Sequence, residues 1–270
     1  MGHVQWHSTV HVMDMLTYVP RQPLAEFIEL LWLYKRKASA HTKERLLPTG
    51  HMELVMDLRD NTPGPLLCGA HSKPCVIDTE EPATIVGVHF KPGGAFPFLN
   101  LPAGELSNEH VSLNAVWGRT AEMLRDRLLE ATSPAAKFRV LEQSLLRQAH
   151  QSLARHPAIA FALSKIRSEW PLPTIAELTT NIGLSPRRFI QLFTDEVGLT
   201  PKLFCRITRF QRALRLIDNQ SVVEWAPVAV SCGYYDQAHF IHDFQAFSGL
   251  KPTAYLKIRG EHMNHVPLRN

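Results

Sequence analysis

The chain has 270 residues, 45% of them hydrophobic and 20% charged, with a formal net charge of +4. That length admits two ordinary domains, each with its own core, and that composition is the one of soluble globular proteins. No run approaches the roughly 20 apolar residues of a membrane span, and the small basic excess permits nucleic-acid binding without arguing for it.

From the start, Met1 to Met15 holds His3, His7, His11 and an acid, with no basic stretch leading into an apolar one. No signal peptide is visible and the cytoplasm is the expected address; the histidines read as a free tail. Pro23 to Lys35 places Leu24, Phe27, Ile28, Leu31 and Trp32 at amphipathic helical spacing, so a helix is predicted there. Met52 to Leu58 alternates apolar and polar residues as a half-buried strand does, and Asn61 to Pro65 reads as a loop. Ile85 to Phe90 is a β-branched run that stops at Lys91-Pro92-Gly93-Gly94, a strong turn signal. A small β-rich domain with a flanking helix fits these segments.

From Leu113 to Gln148 the period changes to 3.6, with Ser133-Pro134 opening a new helix. A junction follows near His150 to Pro157. The next helix carries Ile159, Ala162, Leu163 and Ile166 and ends at Trp170-Pro171-Leu172-Pro173, where the prolines forbid continuation. The four cysteines, Cys68, Cys75, Cys205 and Cys232, have no CxxC spacing and read as reduced or packing thiols.

The last hundred residues contain a repeat. Phe189, Phe193, Gly198, Leu199, Pro201 and Phe204 recur 51 positions later as Phe240, Phe244, Gly249, Leu250, Pro252 and Tyr255. Each copy follows a Gly in a short turn, Gly183 or Gly233, and two aromatics at i and i+4 share one helical face. A short helix, a Gly turn and a second helix is the helix-turn-helix pattern, whose second helix enters a major groove. In the first unit Ile175 to Ile182 is the supporting helix with Thr174 as N-cap, and Ser185-Pro186 opens the second helix. Pro201 to Asp218 forms a long helix with Arg206, Arg209, Arg212 and Arg215 every third residue, a row that serves either solvent or phosphate. In the second unit Ser221 to Ser231 supports; Pro227 is harmless if the regular helix starts near Trp225. Asp236 caps the helix that begins at Gln237. The candidate DNA-reading residues are Ser185, Arg187, Arg188, Ile190 and Gln191 in the first unit and Gln237, His239, Ile241 and His242 in the second, with Arg suited to guanine and Gln to adenine.

The stretch from about Ile159 to Ile258 resembles the DNA-binding domain of the AraC/XylS family of bacterial transcriptional regulators. The most specific segment is Gly233-Tyr234-Tyr235-Asp236-Gln237-Ala238-His239-Phe240, followed by Phe244 and Ser248-Gly249-Leu250-Lys251-Pro252-Thr253-Ala254-Tyr255. The resemblance implies seven helices, with the long helix joining the two units. Thr179 departs from it, since a small Ala usually packs against the turn there. The N-terminal part is similar to a regulatory domain found in front of this one, through Leu31-Trp32, Arg45 to Gly50, Gly87 to Ala95 and Leu101 to Leu106. The expected class is therefore α+β: a small β-rich, cupin-like domain with flanking helices over 1–150, an all-α DNA-binding domain over 151–260, and a tail over 261–270. The implied partner is double-stranded DNA, with RNA polymerase, a small-molecule effector and a second copy of the chain as further candidates, no membrane and no cofactor.

Other chemistries compete poorly. His51-Met52-Glu53 has the H-x-E of zinc deaminases, but no Pro-Cys-x-x-Cys follows. His239 and His242, with Asp236 and Asp243 nearby, have the spacing of a helical metal site, yet a groove-facing surface fits the context better. Lys91-Pro92-Gly93-Gly94 lacks both nucleotide-loop patterns, and no GxSxG elbow exists. The leading expectation is a sequence-specific regulator without enzymatic activity, reading two successive major grooves. The alternatives are a sensor acting through a protein partner, or an enzyme with this domain appended.

Overall fold

The computed structural model describes residues 4–7, 13–37, 42–59, 62–149, 153–218, 220–260 and 262–268. The N-terminal histidines and the start of the junction at 150–152 fall outside them or have no described side chain. Among these residues the architecture is α+β, with nine strands in the N-terminal half, one near the end of the chain, and seven helices in the last 114 positions of the sequence.

The N-terminal domain is built on a seven-stranded antiparallel sheet. Its strands are β1 (Val4–His7), β2 (Met13–Tyr18), β3 (Ile28–Arg36), β5 (Glu53–Asp57), β6 (Leu66–Cys68), β8 (Ala83–Phe90) and β9 (His110–Ser112), in the order β1-β2-β3-β8-β5-β6-β9. Leu54 and Met56 of β5 alternate with half-buried Glu53, Val55 and Asp57, as period-2 patterning requires. A second sheet holds β4 (Lys43–Leu46), β7 (Cys75–Asp78) and β10 (His265–Leu268), ordered β10-β4-β7. Residues from the end of the chain thus complete a sheet of the N-terminal domain, with Val266 opposite Arg45 and fully buried.

The helix expected over Pro23 to Lys35 is not formed. A single 3-10 turn spans Leu24–Glu26, and Ile28 onward is β3, a central strand between β2 and β8. A bulge between Ile28 and Leu30 shifts the register. The core-facing residues therefore become Ile28, Leu31 and Leu33, and a spacing of three imitates a helical stripe. The other expected strands form as β5 and β8. Three helices follow: α1 (Leu113–Trp117), α2 (Arg119–Glu130) and α3 (Pro134–Gln148), the last capped by Ser133. Phe138 of α3 stacks on Tyr18 at 5.6 Å, fixing the hairpin of α2 and α3 to the sheet.

The C-terminal domain runs through α4 (Pro157–Ser168), α5 (Ile175–Ile182), α6 (Pro186–Val197), α7 (Pro201–Ile217), α8 (Trp225–Ser231), α9 (Gln237–Ser248) and α10 (Pro252–Ile258). These are the seven helices that the resemblance implies. Pro227 is the third residue of α8, inside its first turn, where no helical hydrogen bond is lost.

The two domains share one continuous core. Gln211 of α7 donates to the Pro48 carbonyl at 2.9 Å, and Arg45 donates to the Ser248 carbonyl at 3.1 Å. Arg155, just before α4, donates to the carbonyls of Pro92 and Glu26. Gly50 has φ of +78°, and a Cβ there would meet the Phe204 ring at 3.2 Å; glycine is what lets this loop lie on α7.

Candidate nucleic-acid interface

The first unit is assembled by capping chemistry. The Thr174 hydroxyl accepts from the Glu177 amide at 3.2 Å while the Glu177 carboxylate accepts from the Thr174 amide at 2.7 Å, a reciprocal box that starts α5. The same Thr174 amide holds the Glu177 carboxyl below the usual range. Thr179, which departs from the family's small Ala, is accommodated by turning its hydroxyl back onto the Ile175 and Ala176 carbonyls. Gly183 ends α5 at φ of +70°, and the Ser185 hydroxyl accepts from the Arg188 amide to start α6, with Pro186 at its first position.

Phe189 and Phe193 of α6 are fully buried and meet edge to face at 5.8 Å, and Phe193 continues to Phe204 of α7. That anchored face leaves Ser185, Arg187, Arg188, Ile190 and Gln191 exposed on the N-terminal half of the helix. Gln191 is not free: its amide donates to Asp195 Oδ1 at 2.8 Å.

The second unit repeats the plan with different side chains. Asp236 Oδ1 accepts from the His239 amide at 2.7 Å to cap α9. Phe240 and Phe244 are buried among Trp225, Phe210 and Tyr255, with ring centroids at 5.3 to 5.8 Å. Gln237 and His242 are exposed, His239 is half-exposed with its ring edge-on to Tyr234, and Ile241 is half-buried against the core.

The arginines of α7 have a structural role that neither sequence alternative anticipated. Arg206 grips the Asp243 carboxylate through Nη2 at 2.6 Å and Nε at 3.3 Å, in a site where Asp243 is almost wholly buried. Arg209 lies over the Tyr234 ring and donates to the Gly233 carbonyl, and Arg212 lies 4.0 Å from the centre of the Trp170 ring. Trp170 in turn donates to the Ser231 carbonyl of α8 at 3.0 Å. Residues from before the first unit, from the long helix and from the second unit therefore interlock, while Arg215 stays exposed. Asp243, named from the sequence only beside a possible metal site, is instead a buried carboxylate that ties α9 to α7. Its oxygens lie 3.9 Å from His239 Nε2 and 3.8 Å from His242 Nδ1, so one buried carboxylate underlies both candidate histidines. The signal was an acid on the apolar side of an aromatic helix.

The competing motif His51-Met52-Glu53 is used internally. Glu53 accepts from or pairs with His89 Nδ1 at 2.8 Å, His51 Nδ1 meets the Phe90 carbonyl, and the two imidazoles stack at 4.7 Å. Burial and the neighbouring His89 push His51 down to about 3. Among the described residues no three His, Cys, Asp or Glu side chains converge as metal ligands, and no helix is long and apolar enough to cross a membrane.

Residues 178–258 match the model of a helix-turn-helix domain, and residues 16–112 match that of a domain of unknown function, DUF6597. An uncharacterized HTH-type transcriptional regulator of Haemophilus influenzae is 30% identical over 121 residues, covering 43% of this chain and 39% of that protein. The HTH-type transcriptional regulator GadX of Escherichia coli strain CFT073 is 32% identical over 142 residues, covering 51% and 48%. The chain thus spans less than half the length of these curated relatives. Among solved structures, a probable AraC family transcriptional regulator from Rhodopseudomonas palustris aligns at 29% identity over 38% of this chain and 96% of that one, with a TM-score of 0.34. ToxT from Vibrio cholerae aligns over 92% and 98% at 9% identity, with a TM-score of 0.39. With its two interlocked helix-turn-helix units, the C-terminal part of the chain carries a helix-turn-helix domain and is similar to HTH-type transcriptional regulators.

Proposed function

We propose that the chain is a sequence-specific DNA-binding regulator of transcription whose α6 and α9 enter two successive major grooves on one face of the duplex, about 34 Å apart. Arg187, Arg188, Ile190 and Gln191, capped by Ser185, form the first reading surface. Gln237, His239 and His242 form the second, with Ile241 supporting from the core side. The observation that carries this reading is the pair of α6 and α9, each anchored by buried phenylalanines on one face while the opposite face at its N-terminal half stays exposed. Such a helix end offers donors to guanine and adenine edges, and its unpaired amides favour phosphate.

The N-terminal domain is proposed as the regulatory part, the place for an effector or a second copy of the chain, and RNA polymerase is the proposed further partner. The test is selection of duplexes from a random pool by the full chain, followed by footprinting. A protected stretch of about 20 base pairs with two reading segments one turn apart is expected. A single protected half-site would confine base reading to one unit, and no enrichment at low salt would end the proposal.

A further inference from the structure

Resting on the DNA reading just proposed, we infer that the N-terminal domain covers part of the first recognition helix, and that the segment Ala103–Leu106 must leave α6 before that helix seats in a groove. The 3-10 turn Ala103–Leu106 packs directly on α6. Its closest approach is at Gly104, where a Cβ would lie 2.9 Å from Thr194 Cγ2 and 3.2 Å from the Thr194 carbonyl. Only a residue without a side chain allows that fit. The Ala103 carbonyl and Ala70 also abut Gly198 at the end of α6.

Thr194 shares the reading face. Arg187, Gln191 and Thr194 fall at i, i+4 and i+7, a single stripe along the helix. At about 1.5 Å per residue, Thr194 lies about 10 Å along the axis from Arg187. A major groove is about 12 Å wide, so a body seated on that stripe at that distance stands where the sugar–phosphate wall must pass. The obstacle also carries the wrong charge. Glu105 is exposed within the turn, and the neighbouring Asp195 carboxylate already binds the amide of Gln191. Both carboxylates repel phosphate, and Gln191 has to be released before it reads a base. The loops at 47–50 and 91–94 hold the rest of the interface through α7, the segment just before α4 and, at Glu196 and Val197, the C-terminal end of α6, away from the reading stripe. The opening that the inference requires is confined to the 103–106 turn.

The experiment uses the full chain carrying Gly104→Cys and Thr194→Cys, and a duplex selected by the wild type. The two Cβ atoms lie in the range that a disulfide spans. Oxidation is expected to weaken binding at least tenfold, with dithiothreitol restoring it and each single-cysteine variant unaffected by either reagent. Equal affinity in the oxidised and reduced forms would overturn the inference and make the contact a brace compatible with DNA. If the pair does not crosslink, Gly104→Leu decides by direction: its side chain pries the turn from Thr194, so binding should tighten about threefold or more. An unchanged or weaker affinity, with the helical signal intact, would again overturn it. Glu105→Lys, which leaves the packing alone, is expected to tighten binding and steepen its salt dependence. A wild-type chain that selects no duplex would instead refute the DNA reading itself.

Discussion

Arg187 and Gln191 sit on the exposed stripe of α6, so replacing either by alanine should cost about 1–3 kcal/mol at a selected site and relax preference for one base pair. Measuring specific and random duplexes separately checks this; equal losses on both would assign a phosphate or structural role. The second reading helix has no Arg or Lys among its exposed candidates, only Gln237, His239 and His242. Replacing Gln237, His239 or His242 by alanine is therefore expected to cost about 1–3 kcal/mol at a selected duplex and little on random DNA, and equal losses on both would remove that residue from base reading. Glu196 gives a pH effect. Burial pushes its carboxyl up to about 7, against the lowering pull of the His156 amide and Arg155. A folded-state pKa above the unfolded one means that the group's contribution is complete at acid pH and is lost as pH rises through about 7. Glu196→Gln should therefore melt later than wild type at pH 8 by roughly 1–3 kcal/mol and show little difference near pH 4.5, the readout being thermal unfolding at both values.

Elements with local chemistry were legible in the sequence, and elements defined by their neighbours were not. The helices α5, α6 and α9 announce themselves through Thr174, Ser185-Pro186 and Asp236 at their starts and through Gly183, Gly198 and Gly249 at their ends. Each of those signals acts within four residues, so the chain needs no tertiary context to express it. The strand β3 failed the same reading, because its bulge spaces Ile28, Leu31 and Leu33 as a helix would and only the pairing to β2 and β8 decides the matter. The candidate site was legible for the same reason as its helices, whereas Asp243 and the Gly104 contact needed a partner over 35 positions away in sequence. At this scale the buried rings should dominate: Phe193→Ala and Phe244→Ala are each expected to cost about 3–5 kcal/mol in denaturant unfolding. A loss below about 1 kcal/mol would contradict the packing described for them.

Across the whole molecule, the pairing of β10 with β4 means that the chain leaves the β-rich domain after α3, builds seven helices, and then comes back to the same domain. In topological terms the helix-turn-helix unit is an insertion between two strands of its host, tethered at both ends. Leu47 donates to the Asn264 carbonyl and the Tyr255 hydroxyl to that of Met263, so the return path is fastened on both sides. A chimera cut once near residue 150 would therefore separate β4 from the strand that covers its edge, exposing unpaired backbone that invites association with other chains. Exchanging the β-rich domain of this protein calls for two junctions, one before α4 and one after α10, with residues 265–268 travelling alongside β4.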